Sequence, residues 1–146
     1  MELAYEKVTE SFLEEDTHKL GFEMGSLAKG GDIYLLFGDL GVGKTVFAKG
    51  FAKGLGIDEN ITSPTFTILC EYEGRLPLYH FDMYRIEDAD ELYDIGYEEY
   101  FFGEGVCLVE WPEKMGDLMP DTCTSITINK DQNLGDDYRK ITIKKY

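Results

Sequence analysis

Apolar residues recur along this chain with two different spacings. Continuous apolar runs at Ile33–Phe37 and Val106–Val109 predict strands that are buried on both faces of a sheet. Apolar positions at helical spacing from Leu13 to Ala28, with acids in the first turn, predict an amphipathic helix whose start suits its dipole. A second helical pattern covers Phe47–Ala52 and ends near Gly54. Helices alternating with buried strands are typical of a parallel sheet covered by helices.

Shorter patterns fill the remainder of the chain. Leu3–Val8 predicts a first strand, and Glu73–Arg75 predicts the turn of a hairpin. The strands of this hairpin and of a second, C-terminal one are predicted at Phe66–Tyr72, Leu76–Phe81, Ser125–Asn129 and Tyr138–Lys144, and two short helices at Glu87–Tyr93 and Gly96–Phe102. We therefore predict one α/β domain, residues 1–146, with a parallel central sheet, antiparallel additions and a C-terminal hairpin.

The segment between the first buried strand and the second helix carries the clearest chemical signal. Gly38–Thr45 matches the phosphate-binding pattern G-x-x-x-x-G-K-[ST]. Its glycines allow backbone N–H groups to wrap a polyphosphate at a helix N-terminus, where the dipole favours negative charge. In this pattern Lys44 reaches the β- and γ-phosphates, and the Thr45 hydroxyl ligates Mg²⁺. The segment predicts binding of a nucleoside triphosphate.

Two carboxylates follow predicted buried strands, where a magnesium–nucleotide site needs acids. Asp82 follows the strand ending at Phe81, and Glu110 follows Val106–Val109. Carboxyl ends of strands open onto the ligand crevice of an α/β sheet. One acid would hold the metal while the other orients the attacking water, and the sequence leaves the assignment open. His80 shares a face with Asp82 and could bond to it or to a phosphate-bound water, or be a half-buried histidine; Arg85 could pair with Asp82, a phosphate or a helix acid.

Three further segments have more than one interpretation. Ser63 and Thr65 lie where phosphate-loop enzymes place a segment that senses the γ-phosphate, although the residues alone favour a turn with capping hydroxyls. Trp111 could belong to a lid, a docking surface or the core. The segment Asn129–Gln132 differs from the guanine-reading pattern N-K-x-D at its last residue, and no D-x-x-G segment occurs, so adenine is the better candidate for the base.

Charge and composition narrow the class of partner. The chain has 14 basic and 29 acidic residues, a net charge of −15. Because binding to nucleic acid requires phosphate neutralisation by clustered Lys and Arg, we expect no direct tRNA binding by the chain alone. The acidity favours a solvated surface or docking to a basic protein. The absence of a long apolar run or a secretion signal predicts no membrane association, and the odd cysteine count predicts core thiols in a cytoplasmic protein.

Four ordered motifs together resemble one family. G-D-L-G-x-G-K-T at Gly38–Thr45, S-P-T-F-T at Ser63–Thr67, H-F-D-M-Y-R at His80–Arg85 and V-E-W-P at Val109–Pro112 are similar to those of the TsaE (YjeE) family of small bacterial ATPases. The resemblance covers nearly the whole chain. It implies a three-layer α/β fold of the P-loop NTPase type, with ATP and Mg²⁺ as cofactors. It also implies a role in threonylcarbamoyladenosine modification of tRNA, with TsaD and TsaB proteins as partners.

The resemblance also implies roles for individual residues. Leu40–Thr45 would cradle the phosphates, and Thr45 and Glu110 would ligate Mg²⁺. Asp82 would support the metal or the water. Thr65 would belong to a switch-like loop, and Trp111 would belong to a functional surface near the nucleotide. The full implied nucleotide set is Gly38, Asp39, Leu40, Gly41, Val42, Gly43, Lys44, Thr45, Glu14 and Gly135; the catalytic set is Lys44, Thr65, Asp82 and Glu110; and the metal set is Thr45, Asp82 and Glu110. Val46 replaces a second threonine that usually follows the loop, which leaves the Thr45 ligand intact.

Three functional hypotheses follow from these observations. The first is a Mg²⁺-dependent ATPase that acts as an accessory to tRNA modification, weakly active alone. The second is a small-molecule kinase on the same fold, which the count of three arginines disfavours because such kinases often use several to neutralise the transferring group. The third is a nucleotide-gated binding module in which hydrolysis is incidental.

Overall fold

The computed structural model describes residues 2–62 and 67–146. The strands are β1 (Tyr5–Ser11), β2 (Ile33–Phe37), β3 (Leu69–Tyr72), β4 (Leu78–Asp82), β5 (Val106–Glu110), β6 (Thr124–Lys130) and β7 (Arg139–Lys145). The helices are α1 (Glu14–Leu27), α2 (Lys44–Gly54), α3 (Glu91–Asp94) and α4 (Tyr97–Phe101), and 3₁₀ segments occupy Pro112–Leu118 and Gln132–Leu134.

All seven strands join one sheet in the order β1-β7-β6-β2-β5-β4-β3. The four central strands, β6, β2, β5 and β4, are parallel to one another. Antiparallel pairs extend the sheet at both sides, with β3 against β4 and with β7 between β6 and β1. The predicted fold class, a mixed α/β fold with a mostly parallel centre, is confirmed.

The two faces of the sheet carry separate apolar cores. Tyr34 and Leu36 of β2 pack on one face with Phe47 and Phe51 of α2. Ile33 and Leu35, which alternate with them, pack on the other face with residues of β4, β5 and α4. Helices α1 and α2 therefore cover one face, and the short helices and the 3₁₀ segment after β5 cover the other.

Glycines allow α1 and α2 to pack closely. A Cβ atom at Gly21 or Gly25 of α1 would overlap a backbone carbonyl of Phe47 or Phe51, and one at Gly50 or Gly54 of α2 would overlap a carbonyl of α1. The backbones of α1 and α2 are therefore in direct contact over two turns of each helix. At the far end of α1, one guanidinium nitrogen of Arg75 donates to the carbonyls of Gly25, Ser26 and Ala28, which caps the helix.

The predicted elements are confirmed in order and type, and several boundaries differ. The strand predicted at Leu3–Val8 begins and ends later, at Tyr5–Ser11, and the helix predicted at Glu87–Tyr93 shortens to Glu91–Asp94. Part of the strand predicted at Phe66–Tyr72 lies outside the described residues. Within the described parts of the chain, no helix has the length and apolar character needed to cross a membrane.

Candidate nucleotide-binding site

The phosphate loop begins where β2 leaves the core. Gly43, the last loop residue, has φ 110° and ψ 18°, a left-handed conformation that favours glycine, and a Cβ there would meet no neighbouring atom within 4 Å. The same is true of Gly41, with φ 76°. At Gly38 a Cβ would lie 2.7 Å from Val42 Cγ1 and 3.0 Å from the Ile128 carbonyl oxygen, so this glycine permits close packing against β6. Two of the three glycines thus leave open space beside the backbone.

The N-terminus of α2 supplies uncompensated donors next to this loop. The Phe47 N–H donates to the Gly43 carbonyl at 3.1 Å, the first hydrogen bond of the helix. The N–H groups of residues 44–46 precede it and have no acceptor within the helix. Together with the helix dipole, they make this end of α2 suitable for an anion.

Lys44 is the most unusual side chain at the site. Only 6% of it is exposed, and its Nζ has no hydrogen-bond partner among the described residues. Instead, Nζ lies 3.8 Å from the centroid of the Trp111 ring, a cation–π contact. Burial lowers the pKa of this ammonium, and the neighbouring carboxylates, Glu110 first, oppose that shift. A buried lysine without a hydrogen-bonding partner has capacity for an anionic ligand.

The two predicted carboxylates end neighbouring parallel strands. Asp82 of β4 lies in register with Glu110 of β5, and the Met83 N–H donates to the Glu110 carbonyl at 3.0 Å. Burial raises the pKa of Asp82, and the hydrogen bond from the Tyr84 N–H to Oδ1, 3.0 Å long, opposes the shift. Glu110 is more deeply buried, with 4% of its surface exposed. The site therefore contains an acidic pair beside a buried cation.

His80 and Arg85 differ from the interpretations offered by the sequence. His80 shares a face with Asp82, but its Nε2 lies 2.7 Å from Oε2 of Glu110, and it is 1% exposed rather than half-buried. Arg85 is exposed, and within residues 2–62 and 67–146 it makes no ion pair with Asp82 or any other acid. The histidine contacts the acid of the neighbouring strand because parallel pairing places the two strand ends side by side.

A cavity of about 340 Å³ brings most of these groups together. Its lining residues are Leu40, Gly41, Gly43, Lys44, Thr45, Asp82, Tyr84, Glu110 and Trp111. Seven of these nine are predicted site residues, and Tyr84 and Trp111 complete the wall, their rings 5.0 Å apart. The volume falls within the roughly 300–1,000 Å³ typical of ligand sites.

The other predicted residues lie beyond the cavity wall. Gly38 and the buried Val42 pack against each other on the side of the phosphate loop away from the cavity, and Asp39 is exposed on the surface of the loop. Glu14 is the first residue of α1 and is exposed, and Gly135 follows the turn at Gln132–Leu134 with φ 108°. Their roles toward a nucleotide stay predictions. Thr65, like Ser63, lies outside the described residues.

Arg139 is a residue that the sequence prediction missed. Its Nε donates to the Val42 carbonyl at 2.7 Å, and its Nη1 donates to the carbonyls of Asp136 and Tyr138, both at 2.7 Å. The first strand residue of β7 thereby ties the C-terminal hairpin to the phosphate loop. No local pattern could have indicated this contact, because the two residues are 97 positions apart.

Trp111 is half-buried: it lines the cavity and also packs against the apolar core on the face of the sheet that carries Ile33 and Leu35. It has φ 56° and ψ 47°, a left-handed conformation that is uncommon for a residue with a large side chain. The following Pro112 begins the 3₁₀ segment. The ring lies 3.8 Å from Lys44 Nζ, so Trp111 joins the core to the cavity wall, and the lid and docking interpretations stay predictions.

Comparisons with known proteins agree with this geometry. The family model for "Threonylcarbamoyl adenosine biosynthesis protein TsaE" matches residues 12–141. The tRNA threonylcarbamoyladenosine biosynthesis protein TsaE of Bacillus subtilis strain 168 is 50% identical over 129 residues, covering 88% of this chain and 78% of that protein. The TsaE of Treponema pallidum strain Nichols is 44% identical, covering 88% of this chain and 93% of the relative.

A solved structure extends the similarity to three dimensions. The crystal structure of YdiB from Bacillus subtilis superposes with a TM-score of 0.80 at 40% sequence identity, covering 99% of this chain and 88% of that one. The matched region includes the phosphate loop, both acids and Arg139. The chain therefore belongs to the TsaE family.

Proposed function

We propose that this chain is a Mg²⁺-dependent ATPase that supports threonylcarbamoyladenosine modification of tRNA in concert with TsaD- and TsaB-like partners. One observation carries the proposal: the buried ammonium of Lys44 lies without a hydrogen-bond partner, among the described residues, in a cavity walled by the start of α2 and two acids. A polyphosphate would supply the missing acceptors, and a divalent cation would neutralise the acids.

The residues present fit such a ligand. The phosphate loop has open space beside Gly41 and Gly43 and free N–H groups at the start of α2. Thr45 is exposed and lines the same cavity, and Asp82 and Glu110 provide carboxylate oxygens, the ligands that Mg²⁺ prefers. We therefore assign the phosphates to the loop and Lys44, and the cation to Thr45 and Glu110, which leaves Asp82 for the attacking water.

Hydrolysis at this site would depend on positioning and charge. Bound Mg²⁺ would withdraw charge from the phosphate oxygens. Lys44 would hold the phosphoryl oxygens and stabilise the charge that develops on them, because its ammonium is already desolvated. The partly buried Asp82, which lines the cavity, would orient the attacking water molecule. Trp111 and Tyr84 would limit the access of bulk water.

The pathway assignment comes from the relatives. The matching family model and the Bacillus subtilis and Treponema pallidum proteins all carry the name of threonylcarbamoyladenosine biosynthesis. With a net charge of −15, the chain is suited to a complex in which other subunits hold the tRNA. We infer that ATP turnover here supports repeated cycles of that complex.

The arginines favour this function over a small-molecule kinase. Arg75 caps α1, and Arg139 binds the phosphate loop and its own hairpin through backbone carbonyls. Only Arg85 is left for an acceptor pocket, and it does not line the cavity. A kinase that neutralises a transferring phosphoryl group through several arginines would lack them here.

Lys44→Ala tests the proposal, with Lys49→Ala on the exposed side of the same helix as its matched control. We expect Lys44→Ala to lower ATP turnover by at least about 10²-fold, because it removes the charge at the developing phosphoryl oxygens. Lys49→Ala should retain wild-type turnover. The measurement is phosphate release with Mg²⁺, with and without purified TsaB- and TsaD-like proteins.

Two outcomes of that assay would contradict the proposal. The first is wild-type turnover by Lys44→Ala under every condition. The second is phosphate appearing on a small metabolite rather than in water, which would support the kinase alternative.

A further inference from the structure

The buried contact between His80 and Glu110 is a feature of the site to which the function proposed above assigns no role. His80 Nε2 lies 2.7 Å from Glu110 Oε2, and the two side chains are 1% and 5% exposed. In the part of the chain that the structure describes, no other lysine, arginine or histidine nitrogen lies within 4.0 Å of a carboxylate oxygen. His80 does not line the cavity, whereas Glu110 does. Any effect of His80 on a ligand must therefore pass through Glu110.

The surroundings of His80 fix its tautomer. Its Nδ1 is buried without a hydrogen-bond partner among the described residues. On its face of β4 it follows Leu78, and across the sheet it is in register with Leu108, both fully buried. Because a carboxylate accepts hydrogen bonds, Nε2 is the donor to Oε2 of Glu110.

The hydrogen bond also selects one oxygen of the carboxylate. With Oε2 held by His80, Oε1 is the oxygen of Glu110 that no described residue binds. The backbone adjacent to Glu110 is fixed as well, because the Glu110 carbonyl accepts from the Met83 N–H at 3.0 Å. One end of the carboxylate is thus anchored, and the other is available to the cavity.

We propose that His80 is a positioning residue that orients Glu110 so that Oε1 meets the divalent cation. The inference rests on the proposed function, because it takes Glu110 as a metal ligand. A fixed carboxylate loses less rotational freedom when the metal binds, and a partner hydrogen bond tunes its donor strength; losing such a partner commonly weakens metal binding by about 10–100-fold.

His80→Asn and His80→Gln form a matched pair for the test. The glutamine amide reaches about as far as Nε2 and keeps an N–H donor within reach of Glu110. The asparagine amide also has N–H donors, but its side chain is too short to reach Glu110. The readout is Mn²⁺ affinity in the presence of ADP, measured by electron paramagnetic resonance. ADP affinity in EDTA, measured by calorimetry, reports on the phosphate loop without metal.

We expect His80→Asn to weaken Mn²⁺ binding about tenfold and His80→Gln to stay within about threefold of wild type, with ADP affinity in EDTA unchanged in both. In a Glu110→Gln background, His80→Asn should add no further loss, because the two residues act as one unit. That pattern would establish positioning rather than general packing.

Two results would overturn this inference while leaving the proposed function intact. One is wild-type Mn²⁺ affinity in His80→Asn. The other is an equal loss in both variants accompanied by weaker ADP binding in EDTA, which would assign His80 a packing role. If the wild-type protein bound no Mn²⁺–ADP at all, the proposed function would fail and this inference with it.

Discussion

At the scale of single residues, Lys44 makes a contact with Trp111 that we expect a bound nucleotide to replace. The Lys44 ammonium lies over the Trp111 ring, a contact that contributes on the order of 0.5–2 kcal/mol. Hydrogen bonds from a lysine to phosphate oxygens are charge-assisted and stronger than this contact. We therefore expect the lysine to leave the ring when a nucleotide enters. Trp111, the single tryptophan of the chain, would then lose its buried cation.

Arg139→Ala tests whether the hydrogen bond from Arg139 to Val42, here called the brace, supports the phosphate loop. The guanidinium binds the Val42 carbonyl at 2.7 Å, and a hydrogen bond from a charged donor contributes about 1.5–3 kcal/mol. If half of this energy, about 0.75–1.5 kcal/mol, holds the loop in its binding conformation, ADP affinity should fall about 4- to 12-fold. Lys140→Ala, at the exposed neighbouring position, is the control and should bind as wild type. Calorimetry with ADP measures both; an unchanged affinity in Arg139→Ala would rule out the brace.

The site residues that sequence could predict are those whose chemistry is local. Gly38–Thr45 is one continuous segment, and Asp82 and Glu110 each end a recognisable strand, so their convergence follows from parallel pairing. The contacts of Arg139 and His80 were missed because they depend on which strands are neighbours. The sequence predicts the hairpin of β6 and β7. The place of that hairpin beside β2, and the pairing of β4 with β5, cannot be derived from the periodicity of the strands.

At the scale of elements, the packing of α1 against α2 governs where the phosphate loop sits. Gly21 and Gly25 on one helix and Gly50 and Gly54 on the other bring the backbones into direct contact. Because α2 begins at the loop, any change in its distance from α1 is transmitted to the N–H groups that face the cavity. The glycine spacing on both helices is therefore a requirement of the site as well as of the core.

Gly25→Ala should destabilise the protein, although the same change in an exposed helix stabilises by about 1 kcal/mol. The new Cβ would overlap the Phe51 carbonyl, and overpacking of this kind costs about 1–3 kcal/mol. Glu23→Ala, on the exposed side of α1, serves as the control. Urea unfolding gives the free energies, and a Gly25→Ala protein as stable as wild type would show that the helices separate without cost.

The boundary errors also have a cause at this scale. Residues of β1 are exposed along nearly its whole length, so its sequence carries no buried stripe to mark its ends. Its limits are set by the register with β7, where Glu6 opposes Lys144 and Glu10 opposes Lys140. By contrast, β2 is buried almost throughout, and its predicted bounds are confirmed.

At the scale of the whole molecule, net charge disfavours direct contact between this protein and tRNA. A net charge of −15 repels a polyanion, and only 14 basic residues are present to offset it. Two of the three arginines are engaged with backbone carbonyls. We therefore propose that this chain would influence a tRNA through contact with a partner subunit.

We expect the isolated protein to show no tRNA binding at about 0.15 M salt. Non-specific nucleic-acid binders have dissociation constants of roughly 10⁻⁴–10⁻⁶ M under such conditions and depend on neutralising phosphates with cations. In this chain, 29 acidic residues outnumber 14 basic ones. Fluorescence anisotropy with labelled tRNA measures the binding, with and without ATP and Mg²⁺. A dissociation constant below about 1 μM for the protein alone would contradict the assignment of RNA contacts to partners.

The brace between Arg139 and Val42 has a consequence for synthesis. Val42 of the phosphate loop is synthesised 97 residues before Arg139, which supports it. At about 5–20 residues per second, this separation takes roughly 5–20 s to synthesise. During that interval the nascent polypeptide carries the entire motif with no tie from β7. We expect unfinished chains to release ATP readily, so that retention of the nucleotide marks a completed protein.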